Sequence, residues 1–449
     1  MATSLTEKPA GRWAALRRRY EPQIRSSDTF KAAGLAGAMI ANNVIALGST
    51  IVFARLLSDY GSLAALVSYF LILSVVGQAM QVGTAREGVL GHLGVGHGLV
   101  VTLRHWAKAM LVFTAVLTVL SFLLRNPIAS AVGVKKDPWA AAIGIPAACL
   151  WLELSILRGA MQGVGDYKGV GLSLIGEQSV RLVAGALLAI GLGVTGAYLG
   201  TPISFVIMGV YCVVCILRYA RQHELAHGPD PEPPEAALSL WSHVKQAWAP
   251  IAGLIVIAVL QNIDIIAAKH QFSKDLASSY AATAVAAKVL IWVAIGAGFY
   301  LVPEVSRRRA AGQDPRPVLA RALAIIGVCA VPVLLIFAFG AHPLIKLAFG
   351  AKRTGASDSL LVLGVAFTVL ACTYLAIQYM LALKRTWFLV AVGAVAIAEP
   401  VLLLQASSKP AGFAAVVLAV QAVGALLAFA LALRRDSAPP ATVATPEPA

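Results

Sequence analysis

His227-Gly-Pro-Asp-Pro-Glu-Pro-Pro-Glu235 is a proline-rich acidic stretch that cannot be helical, because proline lacks the backbone N–H and its ring clashes with the preceding turn. On either side of it the chain alternates between polar turns and apolar runs of roughly 20 residues, the length that crosses a bilayer. Twelve such runs are marked by bounding charges and turn residues, six before the stretch and six after, from 33–54 to 411–433. The stretch therefore divides the chain into two halves of equal span number. The predicted fold is all-α and polytopic, with about twelve transmembrane helices in two six-helix bundles.

Composition agrees. Of 449 residues, 59% are hydrophobic and 13% charged, against about 25% charged in an ordinary soluble domain. That balance excludes a water-soluble globule, a disordered chain, a disulfide scaffold and a coiled coil. The five cysteines all fall in apolar runs, and the Cys212/Cys215 pair has no second pair or histidine beside it, so these read as small packing residues.

Lys and Arg outnumber Asp and Glu by 36 to 21. In a membrane chain this excess reflects loops that face anionic lipid, and no nucleic-acid partner is implied. With the N-terminus inside, 24 of the basic residues fall in cytoplasmic segments and ten in outer ones, which places both termini in the cytoplasm of a multi-pass cell-membrane protein. The organisation that follows is a basic arm at 1–32, a six-helix bundle at 33–218, a cytoplasmic linker at 219–246, a second bundle at 247–434 and a Pro/Ala/Thr-rich tail at 435–449, expected to be disordered.

The halves repeat weakly. Asp59-Tyr-Gly-Ser-Leu-Ala-Ala65 follows the first span and Asp275-Leu-Ala-Ser-Ser-Tyr-Ala281 the seventh; Gly133-Val-Lys-Lys136 follows the third and Gly350-Ala-Lys-Arg353 the ninth. Matches in corresponding loops of one orientation predict a parallel repeat about an axis along the membrane normal, an arrangement found in transporters.

Six charged residues lie inside spans: Glu153, Glu177, Arg181, Asp264, Lys288 and Glu399. Each facing lipid would cost about 2.5 to 3.5 kcal/mol even on a lenient scale, so they are expected to face the bundle interior or a water-filled cavity. Glu153 and Glu177 sit at similar depth on helices joined by a short turn and can share one site. Glu177 and Arg181, four apart, are placed for an ion pair. This set reads either as a salt bridge locking two helices or as a cationic wall that meets a phosphate. Asp264 and Lys288 lie at comparable depth and can pair. Glu399 precedes Pro400, which leaves the carbonyl of Ala396 free inside the helix; either a packed kink or a cation site follows. Arg55, Arg86 and Arg158 lie at span ends, where long side chains snorkel. Asn42 and Asn43 in the first span are costly in hydrocarbon and are expected to pack or line a cavity. No nucleotide-binding loop, zinc motif or catalytic elbow is present, so the chain does not read as an enzyme, and any work must come from an ion gradient, the membrane potential or the substrate's own gradient.

Ala54-Arg-Leu-Leu-Ser-Asp-Tyr-Gly61, Arg158-Gly-Ala-Met-Gln-Gly163 with Asp166-Tyr-Lys168, Asn262-Ile-Asp264 through Lys269-His270, Tyr280-Ala-Ala through Lys288, and Pro303-Glu-Val-Ser306 form a series along the chain. Together these segments resemble the polysaccharide flippase family of the superfamily that also holds the multidrug and toxic compound extrusion (MATE) transporters and lipid II flippases. The resemblance implies a MATE-like pair of bundles around a central cationic cavity, working by alternating access. It implies a polyprenyl-pyrophosphate-linked oligosaccharide or polysaccharide precursor as substrate, moved from the cytoplasmic to the outer leaflet. Arg55, Arg86, Arg158, Arg181 and Lys288, with Asn42 and Asn43, would line the cavity. Glu153, Glu177, Asp264 and Glu399 would couple or pair charge, with a sodium ion or protons as coupling ion and a monovalent cation at Asp264 and Glu399. Membrane lipids and polysaccharide-assembly proteins would be partners of a monomer, and no cofactor is expected. Two other functions compete: a cation-coupled multidrug exporter of the same fold, and an integral-membrane glycosyltransferase or polymerase, which would call for a large soluble catalytic loop that the chain lacks.

Overall fold

In the computed structural model, which describes residues 28–228, 245 and 248–434, the described residues are almost entirely helical, joined by short turns. The first half holds α1 (Asp28–Leu56), α2 (Tyr60–Val89), α3 (His97–Leu123), the short α4 (Arg125–Val132), α5 (Pro138–Gly163) and α6 (Tyr167–His227). The second holds α7 (Trp248–Gln271), α8 (Lys274–Ala287), α9 (Val289–Ala310), α10 (Arg316–Phe349), a 3-10 helix (Ala351–Ser359), α11 (Leu360–Ala382), α12 (Phe388–Leu404) and α13 (Pro410–Ala432). The basic arm, most of the linker and nearly all of the tail lie outside the described residues, including the proline-rich stretch after Gly228.

Ten helical stretches are long and apolar enough to cross a membrane, and α12 adds a shorter apolar helix. The 61 residues of α6 would extend about 90 Å, three times the hydrocarbon thickness. The helix breaks at Gly193 (φ 57°, ψ −130°), a backbone that side chains with a Cβ avoid, so its limbs at 167–192 and 194–227 are the fifth and sixth spans. Conversely, α8 and α9 are two pieces of the eighth span, divided at Lys288. With α6 taken as two limbs and α12 included, the apolar segments number the twelve expected.

Local chemistry sets the boundaries. Asp59 caps α2, its Oδ1 accepting from the Ser62 N–H at 3.1 Å, and Asp166 caps α6 through the Gly169 N–H at 2.9 Å. Prolines occupy the first turns of α5, α10 and α13. The repeat seen in sequence reappears in the backbone: Gly133 and Gly350 both adopt positive φ, 81° and 94°, the first after a short helix and the second before one.

Within the first half α2 lies along α5, with small residues at the crossing; a Cβ on Gly159 would sit 2.5 Å from the Gln81 carbonyl oxygen, so only glycine lets the backbones meet there. Phe70, Trp151 and Phe205 cluster in the first half, and Phe272, Tyr280 and Phe413 in the second. Between halves, α2 packs against α7 and α8. Many large apolar side chains on α1, α3, α6 and α10 remain exposed, as expected of helices whose outer faces meet acyl chains.

Candidate translocation site

Each half carries one buried charged cluster, and the two have opposite electrical balance. In the first half, the short turn after Gly163 folds α6 back along α5 and brings Arg158 against Ser173 and Glu177. Arg158 is 0% exposed; it donates from Nε to Ser173 Oγ, from Nη2 to the Ser173 carbonyl, and from Nη1 to Glu177 Oε2, each at 2.8 Å. Arg181 donates from Nη2 to the other carboxylate oxygen at 2.9 Å, and its guanidinium carbon lies 5.4 Å from the centre of the Phe205 ring. Its side chain remains 19% exposed, and its Nε has no hydrogen-bond partner among the described residues. Two guanidinium groups therefore share one carboxylate, leaving a net positive charge at membrane depth.

The second cluster unites α7, α8, α9, α12 and α13. Lys288, at the break between α8 and α9, donates to Asp264 Oδ1 at 3.0 Å and lies 4.9 Å from the centre of the Phe367 ring. The Tyr280 hydroxyl donates to Asp264 Oδ2 at 3.3 Å. Gln421 donates to Glu399 Oε1 at 3.1 Å and to the Leu260 carbonyl at 2.9 Å, while Glu399 Oε2 has no partner among the described residues. Glu399 is fully buried and lies within electrostatic range of both Asp264 and Lys288. Here two carboxyl groups face one ammonium. A monovalent cation or a proton would balance them, and the unpartnered oxygen is where either would bind.

The other expected site residues fall elsewhere. Glu153 does not join Glu177; it accepts from Thr114 of α3 at 3.4 Å. Asn42 donates to Asn43 at 3.4 Å on a helix whose faces stay largely open. Arg158 and Lys288 are spent on buried partners instead of lining an open cavity. Arg55 donates from Nε to the Ala348 carbonyl at 3.0 Å and from Nη2 to that of Leu347, which places it between the halves. Arg86 stands at the opposite end of the bundle, beside a pocket lined by Leu35, Gln162 and Tyr167 among others.

Arg55 belongs to a set of contacts that sequence reasoning missed. At the end carrying the turns after α1, α7 and α10, the halves are joined by hydrogen bonds. Arg353 answers Arg55 in reverse, donating to the carbonyls of Ala54, at 3.0 Å, and Leu57. Each arginine thus satisfies carbonyls left over at a helix end in the other half. Lys269 pairs with Asp59 at 2.8 Å, Ser278 Oγ accepts from the Gly61 N–H at 2.9 Å, and His270 Nε2 lies 3.0 Å from the Ala131 carbonyl. This end is sealed.

The Asp59–Lys269 pair makes the seal sensitive to acid. Burial pushes the Asp59 carboxyl up, but the Lys269 hydrogen bond and charge, with the Ser62 N–H, outweigh it and hold the group below its usual range. Nearby Asp137 is pushed up by burial, so it protonates first on acidification. A group with a lowered pKa in the sealed state contributes above its unpaired pKa and loses that contribution as pH falls through the lowered value. The seal is therefore expected to hold at pH 5 to 6 and to weaken below about pH 4. Spin-label distances across the Ser58–Lys274 gap would show it, with Asp59→Asn weakened at every pH; a wild-type seal unchanged down to pH 3 would contradict the assignment.

No family model matches the sequence, and no curated protein matches it. Solved structures do resemble the fold. An inward-facing multidrug resistance MATE family transporter of the MOP superfamily aligns with a TM-score of 0.66 at 11% identity, over 87% of this chain and 94% of that one. The lipid II flippase MurJ, in an inward closed conformation, aligns at 0.68 with 14% identity, over 88% of this chain and 87% of its own. The MATE transporter ClbM, in complex with Rb+, aligns at 0.55 with 15% identity, over 90% and 94%. The chain has a MATE-like fold, and its long apolar helices make it a multi-pass membrane protein.

Proposed function

We propose that this protein is a flippase that carries a polyprenyl-pyrophosphate-linked glycan from the cytoplasmic to the outer leaflet by alternating access. The observation that carries this reading is the surplus positive charge on Arg158, Glu177 and Arg181, with the Arg181 side chain 19% exposed while Arg158 is fully buried. A partly exposed guanidinium at membrane depth suits a phosphate oxygen, which accepts charge-assisted hydrogen bonds. The lipid tail would stay in the bilayer while the anionic headgroup passes between the halves.

The acidic surplus at Asp264 and Glu399 would take up a sodium ion or a proton, and binding there would bias the halves toward one state. The distribution of basic residues supports cytoplasmic termini, which makes the sealed end the outer one in our reading of a cell-membrane protein. A second reading, cation-coupled export of drugs by the same fold, draws on that acidic cluster and on the MATE transporters among the similar structures.

The test is a reconstituted-vesicle assay that scores protection of a labelled polyprenyl-pyrophosphate glycan from an external enzyme, with and without a sodium or proton gradient. Gradient-dependent protection is expected. Transport of cationic dyes with no movement of the glycan would favour the exporter.

A further inference from the structure

The pocket beside Arg86 has no part in the two charged clusters. It holds about 470 Å³ and lies where the ends of α2 and α5 meet the beginnings of α1 and α6, lined by Leu35, Arg86, Val89, Leu90, Gln162 and Tyr167. Arg86 is exposed, and its side chain makes no hydrogen bond or ion pair with a described residue. The adjacent carboxylate does not neutralise it: Glu87 Oε2 lies 2.8 Å from His92 Nδ1 on the following turn. Asp166, at the beginning of α6, is engaged in capping that helix. A guanidinium that forms no ion pair with a described residue thus sits over apolar walls, with an amide and a phenol beside it.

The apolar wall continues out of the pocket. Val89 is 69% exposed and Val82, seven residues earlier and on the same helical face, is 67% exposed. This stripe runs from the helix end toward the middle of the span, so a ligand with its charge at Arg86 would lay an alkyl chain along α2 into the hydrocarbon.

We propose that this pocket is a docking site for the phosphate headgroup of a membrane lipid, with Arg86 holding the phosphate, Gln162 and Tyr167 offering further hydrogen bonds, and the alkyl chain following Val89 and Val82. As the loading step before Arg181 it rests on the flippase reading; as a lipid-phosphate site it stands without it. Arg86 would then recognise the charge common to phospholipids and polyprenyl phosphates, and Arg181 would act later on the same chemical group.

The test uses the full chain in a neutral alkyl-maltoside detergent, with Val89→Cys as reporter and the labelled peptide read by mass spectrometry. Dodecyl phosphate is expected to slow alkylation of this cysteine by a water-soluble maleimide at least fivefold, and inorganic phosphate at the same concentration less than twofold. Adding Arg86→Gln should remove the protection, and Arg86→Lys should keep part of it; equal melting temperatures confirm that the variants fold. Protection that survives Arg86→Gln, or no protection in the parent, overturns the proposal. Equal protection by inorganic phosphate overturns the lipid assignment. Protection without glycan movement in vesicles defeats the flippase reading and leaves this site standing, whereas movement without protection does the reverse.

Discussion

Arg181→Gln is expected to cut glycan movement in reconstituted vesicles by roughly 10- to 100-fold, the equivalent of one charge-assisted hydrogen bond of about 1.5 to 3 kcal/mol, while the protein still folds. Glutamine keeps a donor for Glu177 but loses the charge and the Nε–H, and Glu177 stays paired with Arg158. The contrast with Arg158 isolates the effect. Arg158 is fully buried and makes three hydrogen bonds that tie α5 to α6. Arg158→Met would leave Glu177 paired with Arg181 alone but would orphan Glu177 Oε2 and the Ser173 hydroxyl and carbonyl, and is expected to cost about 3 kcal/mol or more, since each buried acceptor left without a donor costs about 1 to 3 kcal/mol. A melting temperature that falls in Arg158→Met but not in Arg181→Gln, with transport lost in the latter, separates lock from binding site. Wild-type movement in Arg181→Gln would reject its phosphate role, and collapse of that variant would make it part of the lock.

Much of the architecture is legible because a bilayer imposes length. Runs of about 20 apolar residues between charges can do little but cross it, so the number of spans follows from counting. The Glu177–Arg181 pair is also legible, because four residues is one helical turn, and the Asp264–Lys288 pair because both lie at similar depth. Arg158 is not. At a span end it resembles a snorkelling arginine, and only the fold-back of α6 reveals Ser173 and Glu177 as its partners. Gln421, which bridges Glu399 to α7, carries no sequence signal of its own, being one polar residue on an apolar helix. The reciprocal contacts of Arg55 and Arg353 join residues almost 300 positions apart. No local pattern encodes them, because they arise only when two helix ends with unpaired carbonyls are brought together.

The seal explains why an anion-binding site at membrane depth need not leak. While Arg55, Arg353 and the Asp59–Lys269 pair hold one end, ligands can enter only from elsewhere, and a conformational change must break these contacts before release on the far side. The links are individually modest hydrogen bonds to carbonyls and one partly exposed ion pair, so a few kcal/mol of binding energy suffices to shift the equilibrium.

The alternating-access claim is tested most directly by holding the seal shut. A Cβ at residue 61 would lie 3.2 Å from Ser278 Oγ, which brings a disulfide between α2 and α8 within reach, and 3.1 Å from the Ser278 backbone nitrogen, so α8 must give by a few tenths of an ångström to admit it. With Gly61→Cys and Ser278→Cys combined, glycan movement in vesicles is predicted to fall to background on oxidation and to return when the disulfide is reduced. Undiminished movement by the fully oxidised protein would contradict the account.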